Sequence, residues 1–297
     1  MAHTTVLLHE SIAGLHLKKG DVFLDGTLGG GGHSDLVCQN LKGNITIIGI
    51  DKDASAIKKS GDRLRKSGCE PLIMKGSFKD LDLALKKYGI KQVNGILFDL
   101  GISSDQLDSS GRGFSFLRDE PLLMTMESKI TDETLTAKDI VNSWSEESLA
   151  DIIYGYGEER YARRIAKRII EARNIKSIET TFDLVDIIRS SVPKEYRAKK
   201  IHPATKTFQA LRIAVNDELQ TLEEGMKKGF ESLAKKGRMA IISFHSLEDR
   251  LVKRFFKQKE NEGVAKLITK KPITPTDEEV KSNSRSRSAK LRVIEKI

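Results

Sequence analysis

A glycine-rich loop near the N-terminus constrains this chain most strongly. The segment from Asp25 to His33 reads DGTLGGGGH and follows a short apolar run, Val22 to Leu24. Glycine has no Cβ, so the backbone of such a loop can lie close to a ligand, and a helix that begins there points N–H groups at it. A strand, a glycine loop and then a helix are typical of a nucleotide-cofactor domain. A flexible surface loop is the alternative, but it requires neither the apolar strand nor the acid.

The spacing of the glycines weakens the case for a dinucleotide cofactor. The pattern G-x-G-x-x-G/A requires a third glycine or an alanine, and in this chain that position falls on Ser34 or Asp35. Asp51 ends a second apolar run and follows Gly29 by about 20 residues, the spacing at which an acid accepts the ribose hydroxyls of a bound nucleotide. Asp53 is better placed than Asp51 to cap the next helix, 54–66.

Four apolar runs alternate with helical stretches in the first hundred residues. After 22–24 and 45–50, we expect strands at 71–74 and 93–98. Such alternation predicts a parallel sheet with helices on both faces and ligands at the carboxyl ends of the strands. Phe78 and Asp99 fall on that edge with the glycine loop and Asp51, although Phe78 could equally belong to the core.

Composition limits the class of protein. The 297 residues carry two cysteines, Cys38 and Cys69, and a formal net charge of +9. The two cysteines do not form a C-x-x-C pair, which argues against a disulfide scaffold or a thiolate metal site and suits a reducing cytosol. The six histidines lack ligand spacing, so we expect no metal. Neither a signal peptide nor a membrane-spanning run is evident, which predicts a cytoplasmic protein.

The positive charge is concentrated in residues 160–212, which hold 14 basic and 5 acidic residues. Several of these cations recur at helical spacing and predict one basic face that would bind the phosphates of a nucleic acid. A solvated helix face is the alternative. The basic residues singled out for RNA binding are Arg160, Arg163, Arg164, Lys167, Arg168 and Arg212.

Strand patterns stop after Asp108, and helical patterns follow until about residue 212. We expect helices at about 135–144, 146–154, 160–172 and 182–190, and then one long helix from Thr205 to Leu233 that Gly237 ends. The strand pattern resumes at 239–244. The sequence therefore predicts a discontinuous cofactor domain, 1–112 and 213–297, with a helical substrate domain inserted at 113–212.

Several motifs resemble those of the bacterial small-subunit ribosomal RNA methyltransferase H family, and together they extend along the whole chain. They are HTTVLL at 3–8, the glycine loop, DLGISS at 99–104 with QLD at 106–108, RGFSF at 112–116, YGEER at 156–160, HPAT at 202–205, TFQALR at 207–212, SFHSLEDR at 243–250 and RSRS at 285–288. The resemblance implies a class I, Rossmann-like methyltransferase fold. It also implies that S-adenosylmethionine is used to methylate the N4 amine of a cytosine in the decoding region of 16S ribosomal RNA.

Site residues follow from the resemblance, position by position. The implied cofactor contacts are Gly31, Gly32, His33, Asp51, Phe78, Asp99 and Gln106. A target base must be unstacked and held against an apolar face, for which Phe114, Phe116 and Phe244 are candidates, and His245 could accept a proton or orient the base. Asp99 is the candidate catalytic acceptor of the amine proton, or else contacts the cofactor. The chain departs from the family pattern at Leu123, Thr125 and Ser284, which affects the expected shape of the RNA-facing loop.

Two other classes of function remain open at this point. A nicotinamide-dependent oxidoreductase would use the same kind of sheet, but it predicts a regular glycine fingerprint and gives no reason for the basic insert. A non-catalytic RNA-binding assembly factor would not require an intact glycine loop. The expected partner is 16S ribosomal RNA in the small ribosomal subunit, with no membrane, and the protein is either a monomer or a homodimer.

Overall fold

The computed structural model describes residues 5–101, 111–127 and 130–297. The chain divides into two compact units. One comprises Met1–Gly101 and Leu219–Ile297, here called the cofactor unit, and the other comprises Ile102–Glu218, here called the helical unit. The sequence places these divisions at 112/113 and 212/213. No helix among the described residues is both long and apolar enough to cross a membrane.

The cofactor unit is built on a seven-stranded sheet with the order β3-β2-β1-β4-β5-β7-β6. Strands β1 to β5 are parallel, as predicted, whereas β7 lies antiparallel between β5 and β6. The strands are β1 Val22–Asp25, β2 Thr46–Asp51, β3 Leu72–Lys75, β4 Val93–Asp99, β5 Leu233–Ser243, β6 Ala265–Leu267 and β7 Lys290–Lys296.

Helices cover both faces of this sheet, which explains why its central strands read as continuous apolar runs. The helices of the cofactor unit are α1 Leu8–Leu15, α2 Gly32–Asn40, α3 Ala54–Lys66, α4 Leu81–Lys87, α11 Glu218–Ser232, α12 Ser246–Asn261 and α13 Asp277–Ser282. Alternate residues of each strand enter different cores: Leu24, Ile48 and Phe98 pack with α4, α11 and α12, and their sequence neighbours pack with α1, α2 and α3.

The helical unit has its own core of buried aliphatic side chains. Its helices are α5 Ala137–Ser143, α6 Glu146–Gly155, α7 Ala162–Arg173, α8 Thr181–Ser191, α9 Lys194–Arg197 and α10 Thr205–Asn216. Thr136 and Thr180 each accept a hydrogen bond from a backbone N–H in the first turn, and an aspartate at the third position bonds back to the cap. These capping boxes fix where α5 and α8 begin.

The predicted long helix from Thr205 to Leu233 is wrong, because the chain breaks it at Asp217. Asp217 has a φ of 49°, the left-handed conformation that aspartate adopts more readily than most residues. Leu233 already belongs to β5, and Gly237 lies inside that strand rather than ending a helix. The apolar stripe continues through both helices, so its periodicity does not reveal a break of one residue.

The structure contains a disulfide bond, which the absence of a C-x-x-C pair had argued against as the basis of the fold. Cys38 in α2 and Cys69 after α3 form a disulfide bond, although 31 positions separate them in the sequence. α2 and α3 connect consecutive parallel strands on the same face of the sheet and therefore run side by side in the same direction. Their carboxyl ends lie together, which brings the Cα atoms of the two cysteines to 6.1 Å, a separation that suits a disulfide. The bond joins the helix that follows the glycine loop to the segment that precedes β3.

Candidate active site at the carboxyl ends of the strands

The glycine loop joins the carboxyl end of β1 to α2, as the sequence predicts. Gly31 has a φ of 73° and lies against Ser60, and the helix begins at the next residue, Gly32. A Cβ on Gly32 would clash with Thr5, so glycine is required at both positions by packing as well as by any ligand. Gly30, in contrast, has open space where its Cβ would lie. The tightly turned part of the loop is therefore the part that begins the helix.

Asp51 holds the loop in this position from the neighbouring strand. Its carboxylate accepts hydrogen bonds from the backbone N–H groups of Gly29, at 2.7 Å, and Asp53, at 2.8 Å. Burial raises the pKa of Asp51. Asp53 caps α3 by accepting from the Ser55 N–H at 2.8 Å, which confirms the predicted cap. Asp51 thus lies beside the loop at the edge where a ribose would be held.

Two carboxyl groups lie at the ends of the adjacent strands β1 and β4: that of Asp25, which is buried, and that of Asp99, which is half-buried with its Oδ1 atom inside. Burial raises the pKa of Asp25 from 3.8 to about 6, even though the Ser34 hydroxyl donates to it at 2.6 Å. Burial also raises the pKa of Asp99 from 3.8 to about 7; a backbone N–H bond from Gly101 opposes the increase, and the charges of Asp25 and Glu248 add to it. The two groups disfavour each other's ionised form.

One carboxylate oxygen of Asp99 is available to accept a hydrogen bond from a ligand. Its backbone N–H donates to the Thr27 hydroxyl at 2.6 Å, which fixes the end of β4 against the glycine loop. Its Oδ1 atom is buried and, among the described residues, has no hydrogen-bond partner. A buried acceptor without a donor costs free energy, on the order of 1–3 kcal/mol. Such a group is typical of a functional site.

Aromatic rings line this edge of the cofactor unit. The ring of Phe78 packs on Phe98 with centroids 4.7 Å apart. A Cβ on Gly26 would clash with the Phe98 ring, and a Cβ on Gly225 would clash with the Phe78 ring. The Phe244 ring follows β5 and lies against Gly101, 2.9 Å from where a Cβ would be. Phe78 and Phe244 are both half-buried. The site therefore combines acidic groups with apolar ring surfaces.

His245 has a structural role at the start of α12. Its Nδ1 atom accepts from the Glu248 N–H at 3.4 Å, and its Nε2 atom lies 3.1 Å from the Glu248 carboxylate. The other Glu248 oxygen accepts from the backbone N–H groups of Phe244 and His245. Glu248, which the sequence reasoning missed, thereby fixes the turn between β5 and α12. The signal was available, since H-S-L-E places an acid at the third helical position.

His33 lies buried in the first turn of α2, and its Nε2 atom is 3.2 Å from the Val6 carbonyl oxygen. This contact orients the ring toward the interior of the cofactor unit, so the backbone of His33 is the part that remains for a ligand. Gln106, together with Ser103 and Ser104, lies outside the described residues.

The residues of the cofactor unit fit the predicted cofactor. The turned loop at Gly31 and the amino end of α2 suit a carboxylate or phosphate group. Asp51 suits two adjacent hydroxyl groups, and the half-buried ring of Phe78 suits a planar base. A sulfonium cation would relieve the mutual repulsion of Asp25 and Asp99. S-adenosylmethionine carries an amino-acid carboxylate, a ribose, an adenine and a sulfonium, and it matches this set.

The basic residues of the helical unit divide into exposed and internal groups. Arg163, Arg164 and Lys167 are exposed on one face of α7, opposite the buried Ile165 and Ile169. Arg168 shares that face and pairs with Glu171 at 2.8 Å. The exposed side chains suit the phosphate contacts predicted for them.

Arg160 and Arg212 have more specific environments. The Arg160 guanidinium lies 4.7 Å from the ring centre of Tyr161 and 5.1 Å from that of Tyr196. Both stacking contacts hold the exposed arginine in place. Arg212, in contrast, forms two hydrogen bonds of 2.8 Å with Glu218 and is mostly buried, so it belongs to an internal ion pair rather than to the exposed face.

The two phenylalanines of the RGFSF motif lie in different surroundings. Phe114 belongs to the core of the helical unit and is 7% exposed. Phe116 is half-buried and stacks on His202 with the ring planes only 6° apart. Of the two, Phe116 is the better candidate for contact with a base, and His202 is a neighbour that the sequence did not identify.

Comparison with known proteins agrees with this geometry. The model of the MraW methylase family matches residues 1–297. A ribosomal RNA small subunit methyltransferase H of Sulfurihydrogenibium sp. is 51% identical over 296 residues, and that of Persephonella marina is 48% identical over 295, with 99% of each chain covered in both cases. That of Lachnospira eligens is 44% identical and covers 99% of this chain and 98% of its own.

These findings confirm the predicted methyltransferase, its class I Rossmann-like fold and S-adenosylmethionine as its cofactor. They also remove the oxidoreductase alternative, because the match extends over the whole chain rather than over the glycine loop alone. The chain belongs to the MraW methylase family.

Proposed function

We propose that this protein methylates the N4 amine of a cytosine in the decoding region of 16S ribosomal RNA. The relatives named above support the small-subunit RNA as substrate. The observation that carries the choice of an amine is the buried Oδ1 atom of Asp99, which has no hydrogen-bond donor within the described ranges of the chain and lies at the carboxyl ends of the strands. An exocyclic amine offers the N–H that this oxygen lacks.

The chemistry requires an acceptor for a proton. The lone pair of a cytosine amine is delocalised into the ring, so N4 is a weak nucleophile. S-adenosylmethionine supplies an activated methyl group on a sulfonium sulfur, which keeps the electron pair of the broken S–C bond. The Asp99 carboxylate accepts the N4–H hydrogen bond and takes the proton as the N–C bond forms, and the electron pair of the N–H bond stays on nitrogen. This stabilisation increases toward the transition state.

Other residues position the reactants. Gly31, the amino end of α2 and Asp51 hold the cofactor, and alignment of its methyl group with N4 supplies much of the rate. The Phe244 ring provides an apolar surface beside Asp99 for an unstacked base. The exposed cations of α7 and the stacked Arg160 contact RNA phosphates.

The test is transfer of labelled methyl groups to small ribosomal subunits from cells that lack the gene. We expect the label in N4-methylcytidine at one site after digestion of the RNA, and loss of that label for Asp99→Asn. Asp82→Asn, a change of the same kind at an exposed position of α4, is the matched control and should transfer normally. Label in a different nucleoside, or full transfer by Asp99→Asn, would contradict the proposal.

A further inference from the structure

A second basic surface lies on α12 of the cofactor unit, separate from the cations of residues 160–212. Arg250, Lys253, Arg254 and Lys257 follow each other at steps of three and four, which places them on one face of the helix. All four are exposed, and the opposite face buries Val252 and Phe256. We call these four residues the α12 basic face.

The ion pairs of α12 leave this face positively charged. Two other charged residues of the helix form ion pairs outside this face: Asp249 with Arg292, and Lys259 with Glu262. Lys257 pairs with Glu260 but keeps 59% of its side chain exposed. Within the described part of the chain, Lys253 and Arg254 have no ion-pair partner. Glu260, the partner of Lys257, is the acidic residue of α12 that borders this face, and it follows the face at its carboxyl end.

The position of α12 connects this charge with the reaction. The helix begins directly after Phe244 and His245, and the strand before it places Ile242 beside Asp99 in the sheet. The Leu100 N–H donates to the Ile242 carbonyl at 3.0 Å, so the start of α12 and the Asp99 carboxyl are held at the same edge. At 1.5 Å per residue, the α12 basic face extends to about 16 Å from the first turn.

We propose that the α12 basic face binds the phosphates of the RNA strand that flanks the target base. A base that reaches Asp99 and Phe244 must leave its stack, and its neighbours along the strand then lie beside the start of α12. Single-stranded RNA presents regularly spaced phosphates and suits a row of cations along a helix. The inference rests on the proposed function, because it takes the target nucleotide to be at Asp99.

The experiment removes three of these charges while keeping the helix. Lys253→Gln, Arg254→Gln and Lys257→Gln are combined, since glutamine retains helix propensity and side-chain length. Arg250 is left unchanged. The matched control combines Lys19→Gln, Lys86→Gln and Lys91→Gln, three exposed lysines that precede β1 and β4 and therefore lie at the opposite edge of the sheet.

Binding of a single-stranded RNA with the decoding-region sequence is measured by fluorescence anisotropy between about 50 and 200 mM salt. We expect the α12 variant to bind at least about tenfold more weakly at low salt. Each lost phosphate contact lowers the slope of log K against log salt by about 0.7, so the slope should fall by about 2. The KM for RNA should rise, with kcat at saturating RNA and cofactor affinity unchanged. The control should behave as the wild type.

A wild-type slope and KM in the α12 variant would overturn the inference, as would equal losses in the control, which would indicate a general effect of charge. An acidic protein as the partner of this face would give that wild-type slope. Failure of the proposed function is a separate result. If the wild type places no methyl group on N4 but the α12 variant still loses RNA affinity, the α12 basic face binds RNA and the assignment of cytosine N4 as the target is wrong.

Discussion

Replacement of Asp99 by asparagine should remove activity and at the same time remove a pH dependence of stability. Because the folded-state pKa of Asp99 is raised from 3.8 to about 7, the folded protein holds a proton at pH 5 that the unfolded chain has lost. Stability therefore falls as the pH rises toward 7 and levels off above it. At about 1.4 kcal/mol per pH unit, this carboxyl lowers the free energy of unfolding by about 3 kcal/mol between pH 5 and pH 8.

The assay is urea unfolding of the wild type and Asp99→Asn at pH 5 and pH 8. At pH 5 the two should differ little, since a protonated carboxyl and an amide are both neutral and each leaves a donor in the site. At pH 8 the variant should be the more stable by roughly 1–3 kcal/mol, because the buried amide itself costs part of the gain.

Asp82→Asn is the matched control. Its partner Lys228 holds the pKa of this exposed aspartate below its usual value, so the change should give no stabilisation at pH 8. Activity supplies the second readout: kcat/KM of the wild type, which reports the free enzyme, should rise with pH to a plateau above about 7, and Asp99→Asn should lower it by about 10²–10⁴-fold. A variant that is no more stable than the wild type at pH 8, or that keeps the same pH profile of kcat/KM, would refute the reasoning.

Three further changes test other parts of the molecule. Gly31→Val should abolish binding of S-adenosylmethionine in titration calorimetry, because φ at this position is 73° and Ser60 leaves no room for a side chain. The control Gly30→Ala should bind normally, and equal affinities of the two variants would contradict the loop geometry. Cys38→Ser should lower the free energy of unfolding of the oxidised protein by about 4 kcal/mol, the value expected for a disulfide that closes a loop of this length. If the intact mass of the wild type did not change on reduction, Cys38 and Cys69 would be unpaired. Replacing Arg163, Arg164 and Lys167 on the exposed face of α7 by neutral residues should raise the KM for RNA several-fold and leave cofactor affinity unchanged. An unaltered KM would show that this face does not bind RNA.

Features that depend on neighbouring residues could be predicted from the sequence. The glycine loop, the strand ends at Asp51 and Asp99 and the cap at Asp53 follow from local patterns, because turn, strand and capping preferences act over a few residues. The same holds for most helices of the insert, whose observed bounds differ from the expected ones by a few residues.

Features that depend on tertiary packing could not be predicted. The pairing of Cys38 with Cys69 requires α2 and α3 to pack side by side on one face of the sheet, and no local spacing indicates it. Arg212 reads as one more cation of the basic block, yet Glu218 lies beyond the break at Asp217 and takes both of its hydrogen bonds. The raised pKa of Asp99 depends on burial and on the charges of Asp25 in β1 and Glu248 in α12, which are distant from it in sequence.

The charge balance of the proposed reaction gives a reason for placing two carboxyl groups, those of Asp25 and Asp99, side by side in the candidate site. In the proposed reaction, the sulfonium would lie beside Asp25 and Asp99, where it would offset their negative charges and favour the ionised form of Asp99. Methyl transfer would remove that cation from the site and release a proton from the amine. If the proton goes to Asp99, the net charge of this edge is the same before and after the step, and no unpaired ion is left in a low-dielectric environment. The free energy that the Asp99 carboxylate costs in the resting protein would thus be recovered when the methyl donor binds.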